Sequence, residues 1–234
     1  MSDPVPIDPD VLAEASQRLV RTVDAFTDDD FRAPSLLPDW DRAHVVAHVA
    51  LNAEGLAGVL TGLRRGEPAA MYASSEARDT DIEALAGAEP TELRERLLAS
   101  TTLFDQALRA MSSEDWDGRF ERTPGGPSFA SVNIGLMRVR EVEIHHADLG
   151  ADYSAADWPA TFTCLVLDSM TKRPYPRPFR VLARDLAQTW EYGDGDPVAT
   201  VTGESHDLAW WLTGRADGGT LTVDRDELPE VPAW

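Results

Sequence analysis

Apolar residues recur at helical spacing in DPDVLAEASQRLVRTVDAF, where Val11, Leu12, Ala15, Leu19, Val23 and Phe26 share one stripe. Pro9 stands near the expected helix start, a position that tolerates a missing N–H. After a polar loop ending in LLPDW, a second helix is predicted from about Asp41 to Arg64, stopping at the glycine and proline of RRGEP. A third opens near Ser74 or Ser75, either of which suits an N-cap. It continues, with a break near Glu89-Pro90, through TELRERLLASTTLFDQALRAM. The loop WDGRFERTPGGPSF leads to a fourth helix, roughly Val132 to Leu149, closed by Gly150.

The pattern then changes. Trp158 to Met170 reads as another helix, TKRPYPRP as a proline-rich break, and FRVLAR, TWEY and VATVTG as short strands. SHDLAWWLTG suits a helix and GTLTV a last strand. The expected fold class is α+β: residues 1–153 form an antiparallel four-helix bundle, and residues 154–234 form a smaller α+β domain. Bundle interiors build metal sites from side chains on facing helices.

Composition narrows the function classes. With 43% hydrophobic residues among 234, the chain can bury a proper core. No apolar run long enough to cross a bilayer is expected, and the acidic, proline-rich MSDPVPIDPD is unlike a signal peptide. The expectation is a soluble, cytoplasmic, monomeric protein. Its formal charge of −20 opposes nucleic-acid phosphates and anionic membranes, so neither is an expected partner. An anionic small molecule bound here needs locally placed arginines. The single cysteine, Cys164, lies in the apolar run FTCLVL and reads as a buried, inert thiol.

The segment REVEIHHADLG holds two acid–histidine pairs, Glu141 with His145 and Glu143 with His146. At about 100° per residue, Ile134, Met137, Ile144, His145 and Asp148 all fall within about 60° of Glu141 on a helical wheel. Glu141 and His145 are therefore expected to face inward, and Glu143 and His146 to lie on the solvated surface. A buried carboxylate is costly unless it is paired or bound to metal. On the second helix, His48 shares its face with Val45, Leu51, Gly55, Val59 and Leu63, and His44 leans the same way. The pair His44 and His48 lacks the glutamate of the H-E-x-x-H protease signature, with Val45 in its place. Two imidazoles and one carboxylate form a common catalytic zinc set, although the same types also serve iron. A buried, hydrogen-bonded Glu–His pair without metal is the plain alternative.

LLPDWDRAHVVAHVALNAEGL, PAAMYASSEARDTDIEA, LMRVREVEIHHADLG, WLTGRADGG and the closing LPEVPAW, in that order, resemble the mycothiol-dependent maleylpyruvate isomerases, members of the DinB-like group of metal-binding four-helix bundles. The resemblance implies Zn2+ held by His48, Glu141 and His145, and functional arginines at Arg78 and Arg215. It also implies mycothiol as cofactor and a small-molecule dicarboxylate as substrate. The sequence departs from the family at Asp39 and Asp41, which flank Trp40 where related sequences more often carry glycine and a small hydroxyl residue. Asp41 can still cap the following helix.

The implied reaction is a cis–trans isomerisation of maleylpyruvate to fumarylpyruvate. A zinc-held thiolate adds to the double bond, which becomes single, rotates and expels the thiol. Two arginines would hold the carboxylates and oppose developing enolate charge. The rival readings are a thiol S-transferase of the same fold, a zinc-dependent hydrolase, and a non-enzymatic binding module.

Overall fold

The computed structural model describes residues 7–67 and 70–232, in two compact units that divide between Tyr153 and Ser154. Residues 1–6, Pro68, Ala69, Ala233 and Trp234 lie outside the described residues, and with them parts of the MSDPVPIDPD, PAAMYASSEARDTDIEA and LPEVPAW readings.

The first unit contains α1 (Pro9–Asp24), α2 (Asp28–Phe31), α3 (Arg42–Arg65), α4 (Ser75–Ala86), α5 (Pro90–Arg109) and α6 (Ile134–Asp148). Helix starts follow local chemistry. The Asp8 side chain accepts from the Asp10 amide ahead of α1, with Pro9 at the first helical position. Asp41 accepts from the His44 amide and Ser74 from the Ala77 amide. Gly66, at φ 67°, ends α3 in the left-handed region that favours glycine. The break expected at Glu89-Pro90 is a full separation of α4 from α5, because Pro90 starts a helix and cannot continue one. Asp39 takes φ 64°, in the left-handed region that favours glycine and that aspartate tolerates comparatively well.

α1, α3, α5 and α6 pack pairwise around one interior, with α4 against α3. Leu12, Ala15, Leu19 and Val23 fill the α1 side of it, whereas Val11 is 44% exposed and Phe26 lies past the helix end. The stretch expected as a loop instead pairs β1 (Arg119–Glu121) with β2 (Ser128–Ala130), with Phe120 opposite Phe129. Phe120 is buried and Gly125, at φ 74°, turns the chain between the strands. Three residues per strand are too few for alternation to show in sequence.

By length and composition α3 could cross a membrane, contrary to the expectation that no apolar run is long enough; 67% of its apolar window is buried inside the protein. Its apolar length serves the bundle interior, since Val45, Val49, Leu56, Val59 and Leu60 are all buried. α6 is buried on more than one side: it packs on α1 and on α3, and every residue from Val142 to Leu149 is buried.

The second unit contains α7 (Ala160–Met170), β3 (Phe179–Ala183), β4 (Gln188–Tyr192), β5 (Thr200–Gly203), α8 (Ser205–Leu212) and β6 (Thr222–Val223). The strands form one sheet in the order β4-β3-β5-β6, parallel only between β3 and β5. α7 packs on β4, and α8 on β3 and β5. Cys164 lies on α7, partly exposed and not fully buried as expected, and burial is the main cause that pushes its thiol pKa up. A raised pKa leaves little thiolate and little reactivity.

Candidate metal centre

His48 comes from the second turn of α3, and Glu141 and His145 come from adjacent turns of α6. Because α3 and α6 pack together, the three side chains meet. His48 Nε2 lies 2.8 Å from Glu141 Oε2, and His145 Nε2 lies 3.3 Å from the same oxygen. The two imidazole rings stand edge to face, 4.7 Å between centroids. One ligand atom from each residue falls within 4.8 Å of the others, the only such His/Cys/Asp/Glu group among the described residues. Tetrahedral zinc with bonds of about 2.0–2.1 Å sets its donor atoms about 3.3 Å apart, so the set fits with small adjustments.

The surroundings favour the same use. His145 Nδ1 lies 2.8 Å from Asp148 Oδ2, and Asp148 is fully buried. An ionised carboxylate can only accept, so His145 Nδ1 carries a proton, and Nε2 faces Glu141. That carboxylate–histidine arrangement orients metal ligands and raises their basicity. Burial pulls the His145 pKa down, but Asp148 and Glu141 together outweigh it and leave the pKa raised. Burial likewise pushes the Glu141 carboxyl up, yet hydrogen bonds from His145 and His48 hold it well below the usual range. For His48 burial dominates and its pKa falls, which keeps the ring neutral and able to coordinate. Trp40 walls this end of the cluster, its ring 5.6 Å from that of His48.

Arg78 reaches the cluster. On the first turns of α4, its Nη2 donates to His48 Nδ1 at 3.2 Å while Nη1 donates to Asp79 at 2.7 Å. Arg78 also borders a cavity of about 300 Å³ that Tyr72, Leu51 and Asp81 help to line. Arg215 belongs to the second unit, just past α8, where its Nη1 donates to the Thr213 carbonyl and its guanidinium lies 5.9 Å from the Trp210 ring. His44 is not part of the cluster: its Nδ1 is held by Asp41 at 2.6 Å and its Nε2 faces Glu83.

Sequence reasoning missed the part played by two neighbours. Asp148 was visible on the Glu141 face but had no assigned partner. Arg138, one turn before Glu141, is 1% exposed and donates to the Val49 carbonyl and to Asn52 Oδ1. Burial pushes its pKa down to about 10, against the opposing pull of Glu141 and Tyr72. A charged residue on an otherwise apolar stripe was the available signal.

The expectation for the second acid–histidine pair is overturned. Glu143 and His146 are each only 1% exposed, not solvated. Glu143 accepts from Arg18 at 2.6 Å and from the Tyr153 hydroxyl at 2.5 Å. His146 Nε2 lies 2.8 Å from Thr22 Oγ1, and its ring stacks on Tyr153 at 3.8 Å. The wheel found one apolar face, but α6 has a second neighbour, α1, which covers the opposite side.

Comparison with known proteins agrees with the geometry. Two crystal structures, described as the mycothiol-dependent maleylpyruvate isomerase and a histidine-to-alanine mutant of it, each superpose with a TM-score of 0.87 at 26% identity, covering 97% of this chain and 95% of theirs. An uncharacterized protein of Mycobacterium tuberculosis, from strains CDC 1551 / Oshkosh and ATCC 25618 / H37Rv, is 27% identical over 249 residues, spanning 96% of this chain and 91% of its own length. The family model for the mycothiol maleylpyruvate isomerase N-terminal domain matches residues 12–150, a span that includes His48, Arg78, Glu141 and His145, and the chain belongs to that family.

Proposed function

We propose that this protein is a zinc- and mycothiol-dependent cis–trans isomerase that converts maleylpyruvate to fumarylpyruvate by reversible thiolate addition to the substrate double bond. The observation that carries the reading is the convergence of His48 Nε2, Glu141 Oε2 and His145 Nε2 within 4.8 Å, with Asp148 fixing the His145 tautomer. Family membership and the names of the structural neighbours supply the thiol and the substrate class. A zinc ion bound by two imidazoles and one carboxylate would supply net positive charge that keeps a bound thiol deprotonated.

The chain's own residues do the rest. Asp148 holds the proton on His145 Nδ1, leaving the inward nitrogen to coordinate. His48 and His145 are themselves buried and Trp40 lies against His48, which limits bulk water at the cluster. Arg78 would take a substrate carboxylate through its two-pronged guanidinium and oppose negative charge that builds during addition. Arg215 is proposed for a second carboxylate. In a chain of net charge −20, local arginines are what make a dicarboxylate welcome. The thiol of Cys164, held protonated by burial, is a poor substitute for an external one.

The test is to incubate zinc-loaded protein with maleylpyruvate, with and without mycothiol, and to follow fumarylpyruvate. Formation that requires the thiol is expected. Release of a thioether would identify an S-transferase instead, hydrolysis without thiol a hydrolase, and no turnover by fully metallated protein would contradict the assignment.

A further inference from the structure

Arg138 lies one turn before Glu141 on α6, is 1% exposed, and has no task in the chemistry proposed above. Burying a guanidinium costs stability relative to apolar residues of similar volume, and the best attested use of such a group is to fix register. Its contacts have that character. Nη1 donates to the Val49 carbonyl at 2.8 Å and to Asn52 Oδ1 at 2.9 Å, and the guanidinium lies 5.7 Å from the Phe104 ring of α5. Val49 directly follows His48, and Asn52 stands one turn beyond His48 on the same side of α3. A helical carbonyl already accepts from the amide four residues on, so Arg138 takes the second lone pair at Val49. Asn52 is itself buried and hydrogen bonds with Tyr72, which borders the same cavity of about 300 Å³ as Arg78.

We propose that Arg138 is a positioning residue for the metal centre: it pins the His48 turn of α3 against the Glu141 turn of α6 and so sets the spacing of the ligands they carry. The role presupposes that His48, Glu141 and His145 hold metal. Where α3 and α6 meet, the distance from His48 to Glu141 depends on how one helix is rotated and slid against the other. Apolar packing is non-directional and tolerates small slips, whereas hydrogen bonds have a preferred length and angle. Zinc needs its ligand distances within about 0.2 Å of their ordinary values, so the directional contact is the one suited to the task. A role for the charge alone has the opposite sign. A buried cation near the cluster repels a divalent ion, so its removal would tighten zinc binding, whereas loss of positioning loosens it.

The experiment measures zinc affinity by chelator competition, and the visible spectrum of the cobalt-substituted protein, for wild type, Arg138→Met, Arg138→Lys and Asn52→Ala. Arg138→Met is expected to bind zinc roughly tenfold more weakly, the lower end for groups that orient metal ligands, and to alter the cobalt bands. Arg138→Lys, whose ammonium keeps the charge and can serve both acceptors, stays within about threefold of wild type. Asn52→Ala keeps the Arg138 charge and its bond to Val49, and is expected to lose roughly fivefold in affinity. Tighter zinc binding by Arg138→Met overturns the positioning role, as does wild-type affinity with an unchanged cobalt spectrum in a variant that is only less stable to denaturant. Where Arg138→Met does not fold, the same two readings on Asn52→Ala decide. Each of these results leaves the metal site standing; failure of the wild-type protein to bind zinc overturns both.

Discussion

Helix α6 carries an acid–histidine pair on each of two faces, and both pairs are buried. Toward α3, Glu141 and His145 meet His48, and one potential ligand atom from each lies within 4.8 Å of the others. Toward α1, Glu143 is occupied by Arg18 and Tyr153, while His146 is occupied by Thr22 and the Tyr153 ring. Burial and residue type do not separate the two. What separates them is the partners: on one side two imidazoles and a carboxylate have chiefly each other, a set that a cation could join, and on the other a guanidinium and hydroxyls already occupy them. On the proposed reading the first face binds a metal, and the second holds α1 on α6.

The largest effects should come from removing convergence itself. His48→Ala and His145→Ala should each abolish zinc retention and activity while leaving a folded protein, as read by metal analysis and circular dichroism. Loss of one of only three ligands without loss of metal would break the contrast between the faces. Glu143→Ala should act the opposite way, with zinc stoichiometry unchanged in the folded fraction but stability lowered. The cost expected is about 3 kcal/mol, the lower part of the range for breaking a buried pair, because Arg18 keeps some exposure. Denaturant unfolding measures it.

Asp148→Asn is a subtler change. The amide can offer only its oxygen to His145 Nδ1–H and lacks the carboxylate charge, so zinc affinity should drop about 10- to 100-fold without unfolding. Unchanged affinity would remove Asp148 from the metal face. The effect of pH is graded. The His145 pKa lies above the ordinary 6.5, and its protonated form cannot coordinate through Nε2. Zinc affinity should therefore be level above that raised value and fall as pH drops through it, by roughly one power of ten per pH unit for one competing proton. Glu141, held well below the usual carboxyl range, does not contribute until lower pH. A dye-based zinc titration that shows no change between pH 5 and 8 would contradict this.

These contrasts show what a linear pattern carries. The spacing of four residues and the apolar company of Glu141, His145 and His48 were enough to point all three inward. The same reasoning placed Glu143 and His146 in solvent, because one apolar stripe was taken as the only buried side. α6 has apolar residues all round, Val139 and Val142 as well as Ile134 and Ile144, which is the mark of a helix enclosed by neighbours. A wheel drawn for one helix contains no information about Arg18 on α1 or Tyr153 beyond the turn, since those partners are distant in sequence. Arg78 was legible through the family pattern alone; its approach to His48 depends on how α4 lies against α3. The β1–β2 hairpin was lost for a different reason, being too short to alternate.

The central claim is that the two faces of α6 differ in kind. Its most direct measurement is the zinc content of purified wild-type, Glu141→Ala and Glu143→Ala proteins after loading and exhaustive dialysis. The account predicts one zinc per chain for wild type and for Glu143→Ala, and none for Glu141→Ala. Full zinc occupancy in Glu141→Ala, or its loss in folded Glu143→Ala, would contradict it.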